Sequence, residues 1–296
     1  MMNTQVMIHA NKILWLLALP VFAQSPFAWK DLGGGRLELT ERGKTVLVYN
    51  YSPQAKAGAP AGSSRCCYIY PLDTPSGVSV LDDAPQGEWH HHGLYWGWPV
   101  VEVGGKTYDL WQNMTLKPRS TETPATSTDA SRASLAARSV WEVDGKAIVR
   151  ETVLMSALRS EGAARKLVVA IGWVALGAPV TLRGAREPNK SYGGFSATFA
   201  PREGTVLRAD GQTLSKDEDL IPRQWAELEG VYGGKRAVVR ITPARQNAGT
   251  PYQWCLRKSG FVGASFPGKT TSVDGYTLQP GKPLTLTFTV EATDLK

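Results

Sequence analysis

Residues 139–155 read SVWEVDGKAIVRETVLM, and this stretch predicts two β-strands joined by a tight turn. On both sides of Asp144-Gly145, apolar and β-branched side chains are interspersed with polar ones. This pattern is typical of strands with one buried face. An Asp-Gly pair tolerates the positive φ angles that a two-residue hairpin turn requires. The stretch therefore predicts a β-hairpin that turns at Asp144-Gly145.

The same pattern recurs along most of the chain. Runs rich in β-branched residues around glycine-containing turns are the sequence signature of hairpins. Five more are predicted: RLELTERGKTVLVYNY (36–51) turning at Arg42-Gly43, YIYPLDTPSGVSVLD (68–82) at Pro75-Ser76-Gly77, WPVVEVGGKTYDLW (98–111) at Gly104-Gly105, GVYGGKRAVVRIT (230–242) at Gly233-Gly234, and GYTLQPGKPLTLTFTVEA (275–292) at Pro280-Gly281.

Two other stretches complete the outline of the fold. The interior of RKLVVAIGWVAL (165–176) is continuously apolar, which predicts a strand buried on both faces. The segment from Lys117 to Arg132 is rich in Ser, Thr and Pro, and we expect a long surface loop there. No long helical period is present.

These patterns predict an all-β protein of many antiparallel strands. At this length, we expect one domain over residues 24–296, built as a large antiparallel β-sandwich, or supersandwich, of two stacked sheets. A β-propeller is the alternative. It requires a sequence repeat of about 40 to 50 residues, and the chain has none.

The first residues resemble an export signal. Lys12 precedes an apolar run, Ile13–Phe22, that is too short to cross a bilayer. Val21 and Ala23 are small residues at the positions a signal peptidase requires, so we expect residues 1–23 to be a signal peptide cut after Ala23. An uncleaved anchor is the alternative. The predicted location is periplasmic or secreted, without membrane attachment after cleavage.

The charge content limits the binding partners to be expected, and the cysteine content limits the possible disulfides. The chain has 33 Lys+Arg against 26 Asp+Glu, but the positive residues are scattered without a nucleic-acid-binding motif, so nucleic acid is not expected. Cys66, Cys67 and Cys255 allow one disulfide to Cys255 in an oxidising compartment, or three buried free thiols.

The strongest candidate for a functional site is PQGEWHHHGLYWGWP (85–99). It holds every histidine that follows the predicted cleavage point, together with three tryptophans. On a strand, Glu88, His90 and His92 would share one face and His91 would take the other. That arrangement predicts an acid/base cluster or half of a metal site, with Asp83 close by in sequence.

Three further stretches contain candidate ligand-binding residues. They are RCCYIYPL (65–72) with Arg65, NKSYGGF (189–195) with Lys190 and Tyr192, and NAGTPYQWCLRKSGF (247–261) with Asn247 and Arg257. Aromatic rings combined with planar cations and amides are typical of sugar-binding sites. A half-exposed strand and tight turns would explain the same residues. There is no GxSxG, HExxH or nucleotide-binding glycine loop.

Across these stretches the chain resembles the bacterial PmoA-like family, whose automatic name is methane oxygenase and whose function is unknown. The matching pieces are RCCYIYPLDTPSGVSVLDDAP, WHHHGLYWGWP, NKSYGGF, QWAELEGVYGGKRAVVRITP, TPYQWCLRKSGFVGASF and LQPGKPLTLTFTV. The sequence departs from the family pattern at Gly87-Glu88, where an Asp-His pair is usual, and at His92, where Arg is common. The resemblance implies a supersandwich similar to the galactose-mutarotase-like fold of aldose mutarotases.

Three functional hypotheses follow. The first is an exported enzyme acting on carbohydrate, with mutarotase-, lyase- or hydrolase-like chemistry. The second is a carbohydrate-binding protein without catalysis, and the third, from the family label, is a metal-dependent oxidoreductase. A small molecule or an oligosaccharide is the expected ligand. No cofactor is firmly implied, and a divalent metal at the histidine stretch is the alternative. The predicted acid/base residues are His90, His92, Glu88 and Asp83, the ligand-binding residues are Arg65, Trp96, Trp98, Lys190, Tyr192, Asn247 and Arg257, and the metal ligands, if a metal binds, are His90, His92 and Glu88.

Overall fold

The computed structural model describes residues 25–112, 115–269 and 275–296. The predicted signal peptide, residues 1–23, lies outside the described residues. In the described part of the chain, no helix is long and apolar enough to cross a membrane.

The described residues form strands β1 to β23. The first twelve are β1 (Phe27–Asp31), β2 (Arg36–Glu41), β3 (Lys44–Asn50), β4 (Tyr68–Leu72), β5 (Leu94–Gly97), β6 (Val100–Val103), β7 (Lys106–Tyr108), β8 (Lys117–Ser120), β9 (Ala125–Thr128), β10 (Arg132–Val143), β11 (Lys146–Leu158) and β12 (Ala164–Ala175). The others are β13 (Val180–Arg183), β14 (Gly194–Thr198), β15 (Glu203–Ala209), β16 (Gln212–Thr213), β17 (Pro222–Arg223), β18 (Ala226–Tyr232), β19 (Lys235–Pro243), β20 (Tyr252–Arg257), β21 (Phe261–Ser265), β22 (Tyr276–Leu278) and β23 (Leu284–Asp294).

The strands form three antiparallel sheets. Sheet 1 has nine strands in the order β1-β2-β3-β4-β5-β14-β21-β20-β17. Sheet 2 has ten, in the order β16-β15-β18-β19-β23-β12-β11-β10-β8, with β9 also paired to β10. A small sheet 3 has the order β22-β13-β6-β7. The predicted all-β, antiparallel architecture is therefore confirmed.

Sheets 1 and 2 stack face to face around one apolar core. Phe195 on β14 and Phe288 on β23 stack across the interface with ring centroids 4.3 Å apart. Because successive strand residues point to opposite faces, only alternate residues of sheet 1 reach this core. On β5, Leu94 and Trp96 belong to it, whereas Tyr95 lies in a separate cluster on the outer face. The sandwich predicted from the sequence is confirmed.

The tight two-residue turns were predicted correctly. β10 and β11 pair through a turn in which Asp144 and Gly145 have φ of 49° and 73°, and β2 and β3 pair through Arg42 and Gly43 with φ of 52° and 77°. Positive φ at both central residues gives the turn a twist that matches the flanking strands. β6–β7 and β18–β19 also pair as predicted.

One hairpin prediction is met only in part, and another is wrong. The stretch 68–82 turns at the predicted place, but after β4 it returns only through an isolated bridge between Asp73 and Ser79. The stretch 275–292 is not a hairpin, because β22 belongs to sheet 3 and β23 to sheet 2. A Pro-Gly pair turns the chain, but it does not determine which strand becomes the partner.

Two further expectations are corrected. β12 is not buried on both faces: its residues alternate between buried and half-buried, with Val169 and Ile171 in the core and Val168 and Ala170 on the outer face. The neighbouring β11 and β23 partly shield the outer side chains. Likewise, the segment 117–132 is not a loop throughout, because β8 and β9 both pair with β10.

Candidate functional site

The candidate site is a cleft on the outer face of sheet 1, with a volume of about 590 Å³. Tyr95, Cys255 and Phe261 point away from the sandwich core and form an outer apolar cluster with Tyr68 and Trp111. This cluster lies beneath the cleft. Loops at the ends of the strands supply its polar walls, which include Asp82, Glu88, His90, His91, Lys190, Tyr192, Arg202 and Arg257.

The histidine run is a turn that leads into β5, and the predicted strand is wrong. Within it, Glu88 N donates to Pro85 O at 2.9 Å, and His91 N donates to Glu88 O at 2.8 Å. Gly87 has φ of 87°, a conformation that favours glycine. Because the backbone turns here, the alternation of a strand does not apply, and adjacent side chains can face the same way. His90 and His91 line the cleft together with Glu88.

Glu88, His90 and His91 form a compact polar cluster. His90 Nε2 lies 3.6 Å from Glu88 Oε2, and one potential ligand atom from each residue lies within 4.8 Å of the others. The ring of His91 stacks on Phe261 at a centroid distance of 5.0 Å and meets the edge of Trp111 at 5.9 Å. The aromatic contacts therefore orient the imidazole.

Both cleft histidines are neutral near pH 7. Burial lowers the pKa of His91 to about 3, and the neighbouring His90 and His92 act in the same direction. Burial also lowers the pKa of His90, although Glu88 opposes this shift. Neutral imidazoles have a free lone pair that can accept a hydrogen bond or bind a metal. The low pKa makes His91 a weak base, and Glu88 makes His90 the better proton acceptor of the two.

His92 and Asp83 lie behind the cleft, so the predicted pairing of His92 with His90 is wrong. His92 is 2% exposed, and its Nδ1 donates to Asp83 Oδ1 at 2.5 Å. Asp83 Oδ2 accepts a second hydrogen bond from the Tyr68 hydroxyl at 2.9 Å. Burial lowers the pKa of His92, against the opposing effect of Asp83. Asp83 and Tyr68 instead line a separate pocket of about 390 Å³.

Three predicted binding residues do line the cleft. The Arg257 guanidinium lies 2.6 Å from Asp219 Oδ2. On another wall, the Tyr192 hydroxyl donates to Glu187 Oε2 at 3.0 Å, and Lys190 Nζ lies 3.5 Å from Glu187 Oε1. Each pairing presents donors beside a carboxylate acceptor. Gly194 of NKSYGGF allows close strand packing in sheet 1, because a Cβ at this position would lie 2.5 Å from Ala264 O on β21.

The two tryptophans predicted to stack on a ligand are core residues. Trp96 Nε1 donates to Glu151 Oε2 at 2.7 Å, and Trp98 Nε1 donates to Phe266 O at 2.6 Å. Both side chains belong to the main apolar core, on the opposite side of sheet 1 from the cleft. Trp96 and the outward-facing Tyr95 are adjacent in sequence, so strand alternation separates them.

Arg65 and Asn247, which were predicted to bind ligand, do not line the cleft and make hydrogen bonds to backbone groups instead. Arg65 is 3% exposed and donates to Leu110 O at 2.9 Å and Trp96 O at 2.5 Å. Asn247 Nδ2 donates to Thr287 O at 2.7 Å, and its Oδ1 accepts from Thr287 N at 2.9 Å. These hydrogen bonds attach the 244–250 loop to β23.

The sequence interpretation missed His91, Trp111, Phe261 and Arg202 as cleft residues. Trp111 ends the predicted hairpin 98–111, and Phe261 ends the predicted ligand-binding stretch 247–261. Neither residue has sequence neighbours that indicate a binding role for its own side chain. His91 was assigned to the wrong face because a strand was assumed. These residues meet only through tertiary structure.

The cysteines are free and buried. The Cys66 and Cys67 sulfur atoms lie 2.8 Å apart, whereas Cys255 belongs to the outer cluster under the cleft. The disulfide alternative to Cys255 is therefore not observed. Burial raises the pKa of Cys255 to about 12, and Arg257 opposes this shift only in part. A neutral thiol does not favour nucleophilic catalysis by Cys255.

Comparison with known proteins adds a family and a fold-level likeness. The model of a family of unknown function, DUF6807, matches residues 36–295. No curated protein sequence matches the chain. Among solved structures, the chain is similar to the GalM/aldose epimerase homologue from C. elegans, with a TM-score of 0.39 and 8% identity, over 92% of this chain and 100% of that chain.

Proposed function

We propose that this chain, which belongs to the DUF6807 family of unknown function, binds a carbohydrate in the cleft and acts on it through His90 and His91. One observation carries the proposal. A single cleft combines aromatic side chains, paired donors and acceptors, and two neutral imidazoles beside a carboxylate.

Recognition is assigned to the aromatic and ion-paired walls. Trp111, Tyr192 and Phe261 supply apolar surface suited to the C–H face of a sugar ring. Arg257 and Lys190, which are paired with Asp219 and Glu187, supply donors to the sugar hydroxyls. The volume of about 590 Å³ lies within the range of small-molecule sites, about 300–1,000 Å³.

Chemistry is assigned to the histidine wall. His90 can accept a proton from a bound hydroxyl or an acidic C–H group, because it faces the cleft and Glu88, 3.6 Å away, favours its charged form. The same ring can return the proton to a neighbouring position, while His91, whose pKa of about 3 makes it a weak base, can hold the reacting group by a hydrogen bond. Proton transfer of this kind is shared by mutarotase-, lyase- and hydrolase-like reactions, so the proposal covers that group.

The test is sugar binding by titration calorimetry, with a panel of neutral, aminated and carboxylated mono- and disaccharides. For any sugar that binds, Trp111→Ala should weaken affinity about tenfold or more, since a lost aromatic contact with its buried area exceeds about 1.4 kcal/mol. Lys190→Ala, at a side chain 46% exposed, should weaken binding without affecting the fold.

Trp225→Ala is the matched control, because Trp225 packs against Arg240 at 4.0 Å and does not line the cleft. Its affinity should equal that of the wild type. Equal losses in Trp111→Ala and Trp225→Ala, or no binding by any sugar of the panel, would reject the proposal.

The same variants separate the enzyme from the carbohydrate-binding alternative. If the protein is an enzyme, His90→Ala should abolish conversion of the bound sugar, followed by NMR, while its affinity changes less than about threefold. If the wild type binds a sugar and leaves it unchanged over days, the binding protein is the correct alternative. The metal-dependent oxidoreductase, which rests on the resemblance to the PmoA-like family, predicts a redox change in the ligand instead.

Export is part of the proposal, on the evidence of the apolar run Ile13–Phe22 and the small residues before Gln24. We expect the full-length chain expressed in a Gram-negative host to reach the periplasm and to begin at Gln24. N-terminal sequencing of the periplasmic fraction measures this. A chain recovered in the membrane fraction with residues 1–23 intact would favour the anchor.

A further inference from the structure

We infer that Glu88, His90 and His91 form a mononuclear site for a divalent first-row transition-metal ion on the wall of the cleft. Among the described residues, theirs is the one group of three or more His, Cys, Asp or Glu side chains whose potential ligand atoms all converge within 4.8 Å. The sequence had suggested His90, His92 and Glu88. The turn before β5 replaces His92 by His91.

The separations suit a single ion. Metal–ligand bonds to His nitrogen and carboxylate oxygen are about 2.0–2.2 Å, so two ligand atoms on one tetrahedral ion lie about 3.3–3.6 Å apart. The 3.6 Å between His90 Nε2 and Glu88 Oε2 matches this value. The remaining separations, within 4.8 Å, would close by small rotations of Glu88 and of the His90 ring, whose side chains are 56% and 22% exposed.

The donor set selects the class of ion. Two imidazoles and one carboxylate are the ligands of many catalytic zinc sites and of non-haem iron sites. Alkaline-earth ions prefer an all-oxygen shell, which this group does not offer.

The surroundings orient the ligands and leave the ion accessible. Phe261 and Trp111 hold the His91 ring, and His90 meets His91 edge-on at a centroid distance of 4.3 Å. All three ligands come from one wall, so the coordination positions toward the cleft stay open to water or to a ligand oxygen. With an ion bound, His90 and His91 would serve as ligands and not as proton-transfer groups, and the ion would polarise that oxygen instead. This last role rests on the proposed function, whereas metal binding itself does not.

The experiment measures metal uptake by protein that carries no histidine tag and has been stripped with chelator and dialysed. ZnCl₂ is titrated by calorimetry, and bound zinc is counted by mass spectrometry. We expect about one equivalent in the wild type and a Kd at least tenfold weaker for Glu88→Gln. The His90→Ala/His91→Ala variant should retain no zinc after dialysis.

Asp82→Asn is the matched control, because Asp82 is a second carboxylate of the same cleft that lies outside the cluster. It should bind zinc like the wild type. Substitution with Co²⁺ adds a spectroscopic readout, since visible d–d bands should appear in the wild type and shift in His91→Ala. No uptake by the wild type, or uptake unchanged in the double variant, would overturn the inference.

Failure of this inference can be told apart from failure of the proposed function. Lys190→Ala, which leaves the contacts of all three proposed ligands in place, should bind zinc normally while it loses sugar affinity. Sugar binding by a wild type that takes up no metal would reject the metal site and leave the carbohydrate proposal in place. Metal uptake without binding of any sugar would support the metal site and reject the carbohydrate proposal.

Discussion

Replacing Glu151 by alanine should lower the free energy of unfolding by about 3–5 kcal/mol. Glu151 is 1% exposed, on β11, and its Oε2 accepts hydrogen bonds from the indoles of Trp96 at 2.7 Å, Trp173 at 2.8 Å and Trp141 at 3.1 Å. Ser139 Oγ donates to Oε1 at 2.9 Å. One carboxylate therefore satisfies donors from both sheets, because Trp96 is on β5 and the other partners are on β10 and β12.

The cost comes from the groups that remain after the substitution. Each buried N–H left without an acceptor costs about 1–3 kcal/mol, and alanine would leave three such indoles beside a new cavity. Chemical denaturation of the wild type and the variant measures the loss.

Glu151→Gln is the control for shape. Its side-chain carbonyl can accept hydrogen bonds from the indoles, and its amide can donate to Ser139 Oγ. The glutamine variant should therefore have a free energy of unfolding about 1–2 kcal/mol higher than that of the alanine variant. A glutamine variant as unstable as the alanine variant would show that the negative charge, and not the hydrogen bonds, accounts for the stabilisation.

Replacing Arg165 by methionine should lower the free energy of unfolding by a similar amount, about 3–5 kcal/mol. Arg165 on β12 lies 3.6 Å from Glu41 on β2, and the two side chains are 2% and 4% exposed. Arg165 Nη1 also donates to Thr45 O at 3.0 Å and Asp73 O at 2.5 Å. The guanidinium thus connects sheet 2 to sheet 1, and its loss would leave the Glu41 carboxylate buried without a cation.

A double-mutant cycle isolates the pair. Glu41→Leu combined with Arg165→Met should be more stable than Arg165→Met alone by about 1–3 kcal/mol, because the uncompensated charge is gone. Arg119→Met is the exposed control: Arg119 pairs with Glu142 at 2.8 Å but is 56% exposed, so we expect no change in stability that denaturation resolves. If the stability losses of Glu41→Leu and Arg165→Met simply add up in the double variant, the two side chains do not interact and the assigned ion pair is contradicted.

The candidate site was predicted in part. Glu88, His90, Lys190, Tyr192 and Arg257 line the cleft as expected. These residues lie in turns and strand ends, where polar side chains have few structural roles to fill. The errors have one physical origin. Trp96, Trp98, Arg65 and Asn247 are as chemically suited to a sugar as the residues that do line the cleft, but they are packed in the core or hydrogen-bonded to backbone.

The sequence by itself determined the local structure. Hairpins such as the one at Asp144-Gly145 depend on the φ preferences of two residues and on alternation along the adjoining strands, and all of that information is local. The alternation also determined which side chains share a face. It did not determine which of the two faces is the core, because both faces of β5 carry aromatic residues, Tyr95 on one and Trp96 on the other.

Only the tertiary structure decided which face of sheet 1 is the core and, with it, where the cleft lies. Sheet 2 covers one face of sheet 1, so Trp96 is buried against Glu151 while Tyr95 supports the cleft. The turn before β5 then directs His91 to the cleft and His92 to Asp83. These outcomes depend on contacts between residues far apart in the chain, such as His91 with Phe261. No local pattern contains them, since they follow from burying the largest apolar area between two sheets.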